Sequence, residues 1–175
     1  NQIGGAPLQS YPVQYAGDLW IDDLYFHRGL CHFRLKQYSK AMENFDLIVR
    51  HARNEGMAEK SLFWMFQAQV RSGRKEEALH TQSLLEASYP RSPFLAQAWY
   101  LKAAVYEEMG EAEKAASLYR QMADQFPQSP FRFAALWNAG WLGYQGNDFP
   151  AALQAWERLS LTDPPSRWME KVLYW

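Results

Sequence analysis

An all-α solenoid built from helix pairs is the fold this sequence predicts, on three observations. Residues recur at an interval of 37: Ala41, Ala78, Ala115 and Ala152 form one column, Pro90, Pro127 and Pro164 another. Within each interval the apolar residues fall at steps of three and four, the spacing of one helix face. No segment sustains the period-two alternation of a half-buried strand. Two further columns keep the register. Phe26, Phe63, Tyr100, Trp137 and Tyr174 make one, and Tyr25, Leu62, Trp99, Leu136 and Leu173 sit one position earlier, always large and apolar.

The elements follow in order. Residues 1–17, with Gly4, Gly5, Pro7, Pro12, Tyr11 and Tyr15, read as an irregular leader, a flexible tether or a cap on the first unit. First helices are expected at about 18–35, 57–72, 93–109 and 130–145, and second helices at about 38–52, 75–88, 112–125 and 149–160. The third unit displays the reasoning. Trp99, Ala103, Tyr106 and Met109 share a face, Gly110 breaks the pattern, and Ala115, Leu118, Tyr119 and Met122 resume it. Gly73, Gly110 and Gly146-Asn147 mark the turns inside three units, and the first unit has Lys36-Gln37 there. Ser92 and Ser129 are expected as helix caps, with Pro93 and Pro130 at the first helical position, where no amide hydrogen is needed. Residues 167–175 begin a fifth unit. A chain ending at Tyr174-Trp175 inside it reads as part of something longer, or as an end that packs on a neighbour.

Composition narrows the function. The chain has 175 residues, 48% of them hydrophobic and 28 of them aromatic (Trp 8, Tyr 10, Phe 10), so it is built to pack. Eighteen basic against nineteen acidic residues leave a net charge of -1, without the basic bias of a phosphate-backbone binder, so nucleic acid is not an expected partner. One cysteine, Cys31, forms no internal disulfide, and no apolar run has the ~18–20 residues of a membrane helix. There is no nucleophile elbow, phosphate-cradling glycine loop, zinc spacing or dinucleotide fingerprint, so no catalytic residues, metal or cofactor are expected. His27 and Cys31, at i and i+4 with Asp23 one turn earlier, have ligand-like spacing, but with no second cluster they read as an ordinary half-buried pair.

These residues resemble the tetratricopeptide repeat family. Its pattern of a large residue, a small one four on, an aromatic, then Ala, an aromatic and a closing Pro reads in the third unit as Trp99, Ala103, Tyr106, Ala115, Tyr119 and Pro127. Leu136, Gly140, Ala152, Trp156 and Pro164 carry it in the fourth unit, and Tyr25, Gly29, Ala41 and Phe45 in the first. The second departs most, with Phe66 at the small position and Gln82 for the aromatic, which predicts wider helix spacing there. The resemblance covers roughly residues 18–175 and implies a right-handed superhelix with repeats at about 22–55, 59–92, 96–129 and 133–166 and a partial fifth at 167–175.

The family's usual unit is about 34 residues. Three more per unit, carrying segments such as Ser129-Pro130-Phe131, make this chain similar to tetratricopeptide proteins of the bacterial cell envelope: outer-membrane assembly lipoproteins, cell-division coordinators and the superhelical arms of soluble lytic transglycosylases. The resemblance implies a periplasmic or envelope-associated protein.

Helix-pair solenoids act mainly through the concave face of their first helices. Projecting the repeat places Phe26, His27, Lys60, Phe63, Trp64, Gln67, Arg71, Tyr100, Trp137, Asn138 and Trp141 there. An aromatic ladder of this kind suits an extended apolar or proline-containing peptide, and its rings can equally stack on a glycan. The column Phe26, Phe63, Tyr100 and Trp137 often only fills the space between successive helices, so Trp64 and Trp141, outside it, are the stronger contact candidates. The Lys/Asn/Arg clamp that some family members use on chaperone tails is absent: the equivalent places hold Phe26, Leu30, Trp64, Tyr100, Leu101 and Ala104. The expected function is a non-catalytic scaffold for a protein or peptide partner in an envelope assembly. The alternatives are the non-catalytic arm of a peptidoglycan lytic transglycosylase and self-association through the solenoid ends.

Overall fold

The computed structural model describes residues 19–51 and 54–161, and every regular element among them is an α-helix. There are two compact units, divided after Ser92. The first contains α1 (Leu19–Arg34), α2 (Tyr38–His51), α3 (Glu55–Arg71) and α4 (Lys75–Ser88). The second contains α5 (Leu95–Glu108), α6 (Ala112–Gln125), α7 (Arg132–Gln145) and α8 (Phe149–Ser160). Each unit is thus two of the predicted helix pairs. The leader at 1–17 and the fifth unit at 167–175 lie outside the described residues.

The turn inside each pair obeys the 37-residue period more strictly than the sequence does. Lys36 (φ 58°), Gly73 (φ 76°), Gly110 (φ 81°) and Asn147 (φ 60°) all take the left-handed conformation. Each is followed by an amide that reaches back five residues: Gln37 to His32, Arg74 to Gln69, Glu111 to Tyr106 and Asp148 to Gly143, at 2.8–3.0 Å. That bond closes the helix end by satisfying a carbonyl the helix leaves orphaned. Glycine enters this conformation freely, asparagine tolerates it, and lysine is held there against a Cβ clash. Lys36→Gly is therefore expected to raise stability by about 0.5–1 kcal/mol, read as a higher urea midpoint with an unchanged slope.

Helix starts differ from the predicted ones where side chains or tight turns set the boundary. Asn54 accepts from the Gly56 and Met57 amides at 2.9 and 3.4 Å, so α3 begins at Glu55, two residues earlier than expected. The Ser129 hydroxyl does accept from the Phe131 amide at 3.1 Å. The Arg132 amide, however, bonds the Ser129 carbonyl three residues back, so the Pro-Phe step is a tight first turn and regular α7 starts at Arg132, after the expected 130. α5 likewise starts at Leu95 rather than 93.

Packing inside each pair rests on complementary volumes. A Cβ built on Gly29 would lie 2.6 Å from the fully buried Phe45 ring, and one built on Gly140 would lie 2.6 Å from Cδ1 and Cε2 of Trp156. Those glycines are the space the partner helix's ring occupies. In the second pair both Phe66 and Gln82 are fully buried, so that pair carries its ring on the first helix and the slender side chain on the second. The core of unit 1 gathers Ile21, Tyr25, Phe26, Ala41, Phe45, Ile48 and Met57. That of unit 2 centres on Tyr119, Met122, Leu136, Ala139 and Leu159.

Candidate functional site

The candidate residues divide between the two units, and their surroundings differ. In unit 1, Phe26 and Phe63 are buried, Phe63 to 3% exposure, so these rings belong to the core and present no face to a ligand. Trp64 is half-buried. Its ring meets Phe33 edge-on at 5.2 Å and Phe63 at 6.3 Å, and Phe33 in turn meets Tyr38 at 5.5 Å. Trp64 therefore packs as well as being accessible. His27 is exposed, with Nδ1 2.7 Å from the Asp23 carbonyl, and Cys31 is exposed also, which corrects the half-buried pair read from their spacing. Lys60 and Arg71 are exposed and Gln67 half-buried on α3.

In unit 2 the candidates form a connected surface. Tyr100 on α5 and Asn138 on α7 are 38 residues apart in sequence, and the Asn138 amide donates to the Tyr100 hydroxyl at 3.1 Å. The Tyr100 ring lies 5.4 Å from that of Tyr119, whose hydroxyl donates to Glu107 at 3.0 Å. Burial, the largest cause, raises the pKa of both tyrosines, with the Asn138 hydrogen bond opposing and the Glu107 carboxylate adding. Both phenols thus hold their protons more firmly than a free tyrosine does. Beside this network, Trp137 meets Trp156 at 5.9 Å, and Trp141 is stacked on Tyr144 at 6.0 Å with 22° between the rings. Trp141 is 44% exposed, Tyr144 50% and Phe149 53%, and Phe149 meets Tyr144 edge-on at 5.7 Å.

Sequence reasoning missed Tyr144 and Phe149. They flank the Gly146-Asn147 turn, outside the columns that recur in every unit, and an aromatic at both places appears again only at Phe33 and Tyr38. That recurrence, three periods apart, is the signal that finds them.

Among the described residues no group of three or more His, Cys, Asp or Glu side chains is placed to hold a metal. No helix among them is long and apolar enough to cross a membrane.

Such helix pairs, with an aromatic and amide-bearing first-helix face in unit 2, are the architecture of a helical-repeat protein. Tetratricopeptide repeat models match residues 22–53, the first pair of unit 1, and 97–129, the first pair of unit 2. The chain carries tetratricopeptide repeats, which mark a protein-interaction scaffold and are generally non-catalytic. No curated protein matches the chain. Among solved structures, the apo form of RapI is similar in fold, with a TM-score of 0.66 at 14% identity over 81% of this chain. This chain spans 55% of the length of that one. MamA 41-end from Desulfovibrio magneticus RS-1 is 15% identical, with a TM-score of 0.42 over 83% of this chain and 95% of its own.

Proposed function

We propose that the chain is a scaffold that holds an extended peptide segment of a protein partner on the first-helix face of unit 2. The observation that carries this reading is the pairing of a fixed amide with an open aromatic platform. Asn138 is oriented by its bond to Tyr100 and also reaches the Tyr119 phenol, leaving its amide oxygen for a peptide backbone N–H. Trp141, stacked on Tyr144, offers a flat ring held by its neighbour. A proline or apolar side chain on that ring with a backbone bond at Asn138 is the arrangement that suits an extended, low-entropy segment. In unit 1, Trp64, Lys60 and Arg71 on α3 offer an aromatic edge and two exposed cations of their own.

The setting we propose is the bacterial envelope, supported by the 37-residue period and the Pro-x-Ser-Pro-Phe connections. Screening a panel of proline-containing and apolar peptides by fluorescence anisotropy, with peptidoglycan fragments as a second arm, tests the ligand class. Trp141→Ala is expected to weaken peptide binding by about 1–2 kcal/mol, the range of an exposed aromatic anchor, with an unchanged unfolding midpoint. Peptide affinity that is the same in Trp141→Ala and the unaltered chain would sink the assignment. Binding of glycan alone would favour the wall-enzyme arm.

A further inference from the structure

The turns inside the helix pairs carry opposite charge in the two units, at the same register. Arg34 and Arg71 end α1 and α3, and the equivalent residues in unit 2 are Glu108 and Gln145. Arg74 stands just before α4, where Glu111 and Asp148 stand before α6 and α8. With Lys36, Lys40 and Lys75, residues 34–40 and 71–77 hold six cations against two carboxylates, Glu76 and Glu77. The equivalent stretches of unit 2 hold four carboxylates against one lysine. The two turns of unit 1 are neighbours: the Arg74 guanidinium donates to the Ser39 hydroxyl at 3.2 Å, across 35 residues of sequence, and to Glu77 at 3.5 Å. Arg34, Lys36, Lys40 and Arg71 are exposed and form no ion pair among the described residues. Leu35, 66% exposed, lies between two of them.

Two of these cations stand where the local backbone favours something else. Lys36 takes a left-handed φ of 58° in the place that glycine holds in the next two pairs. Arg74 precedes α4 without a side-chain cap bond and adds positive charge to the positive end of a helix. At the same place in the fourth pair Asp148 caps α8, accepting from the Ala151 amide at 3.1 Å. There an acidic residue serves its helix, whereas Arg74 works against its own. Natural chains break local rules of this kind mainly at functional sites. We propose that the turn edge of unit 1 is a docking surface for an acidic, extended segment of a protein partner. Of the first-helix candidates it uses only Arg71. The segment's carboxylates pair with the open cations, the guanidinium forks of Arg34 and Arg71 matching them in shape, and an apolar side chain among them rests on Leu35. A flat anionic surface suits the edge less well, because Glu76 and Glu77 lie on it and would be pressed against like charge, whereas a flexible chain threads between the cations and leaves both in water. The overall charge of -1 argues against a nucleic-acid occupant.

Fluorescence anisotropy on the full chain, with a labelled peptide of four glutamates, a leucine and four glutamates as the probe, tests this apart from the proline-containing peptides of the first-helix face. Binding at low ionic strength is expected, weakening about tenfold as salt rises to the physiological range. Lys36→Gly is expected to weaken the probe about two- to threefold while raising the urea midpoint, a combination that a merely structural lysine does not give. Lys36→Gly with Lys40→Glu is expected to weaken it about tenfold or more, with no loss of the midpoint. In an NMR titration the amide signals of residues 34–40 and 71–77 are expected to move while those of α7 stay in place. No binding at low ionic strength, equal affinity in the double variant and the unaltered chain, or shifts confined to unit 2 would overturn the proposal. So would tighter binding of phosphatidylserine vesicles or of a thymidine oligonucleotide at the same residues, which would give the edge to a lipid surface or a nucleic acid. A mass that doubles at low ionic strength would overturn it as well, since the acidic turns of a second copy would then be the occupant.

Discussion

Phe45→Ala is expected to cost about 3–5 kcal/mol of unit 1 stability, the range for emptying a fully buried phenylalanine site. The Phe45 ring reaches Phe26 at 5.9 Å and fills the space over Gly29, where even a Cβ would stand 2.6 Å from it. With glycine opposite, no side chain can relax into the void, so the cavity term stays near its upper end. Gly29 also leaves its helix backbone open to water once the ring is gone. Circular dichroism under urea is expected to show the loss. A loss below about 1 kcal/mol would mean that α1 and α2 close over the gap, and that the glycine position is not a rigid seat.

The same pair shows how far the sequence could be read. Period and spacing find the helix pairs because the constraint recurs in every unit: a ring from one helix needs an absent side chain on the other, as at Gly29 with Phe45 and Gly140 with Trp156. The turns are legible at Gly73 and Gly110, and less so at Lys36, where a residue with no preference for positive φ is carried by the surrounding hydrogen bonds. Helix starts are harder. Asn54 caps α3 through a local side-chain bond that leaves no periodic trace, and the Pro-Phe steps before α5 and α7 wind tightly before the regular helix begins.

At the candidate site the limit is different in kind. Phe26, Phe63, Tyr100 and Trp137 share one column, yet the first two are buried and the last two half exposed, because burial depends on what neighbouring helices present and not on register. The bond between Asn138 and Tyr100 joins two helices and exists only once they are packed. Tyr144 and Phe149 appear in the sequence as ordinary turn-flanking aromatics, and only ring geometry shows that they steady Trp141.

The second pair makes the volume argument testable in the fourth. Phe66 stands at the position of Gly140, and Gln82 at the position of Trp156, both fully buried. Gly140→Phe alone drives a ring into Trp156, whose atoms already stand 2.6 Å from where a Cβ would be, and is expected to cost about 3 kcal/mol, the upper end for overpacking. Trp156→Gln alone removes the ring from between Trp137 and Tyr144 and leaves a void over Gly140, at about 3 kcal/mol again. The two together reproduce the arrangement of the second pair, so their costs are expected to fall short of additivity by about 2–3 kcal/mol in a double-mutant cycle. Gln82 indicates what remains uncompensated. Its Nε2 donates to Glu86 at 3.0 Å while its Oε1 is buried without a partner, and the residue equivalent to Glu86 in α8 is Ser160. A third change, Ser160→Glu, should therefore recover part of the residual loss in the double variant and none in the unaltered chain. Additive single costs, with no recovery in the double, would mean that the ring and the glycine are fitted to each other by shape alone and that the two kinds of pair are not interchangeable.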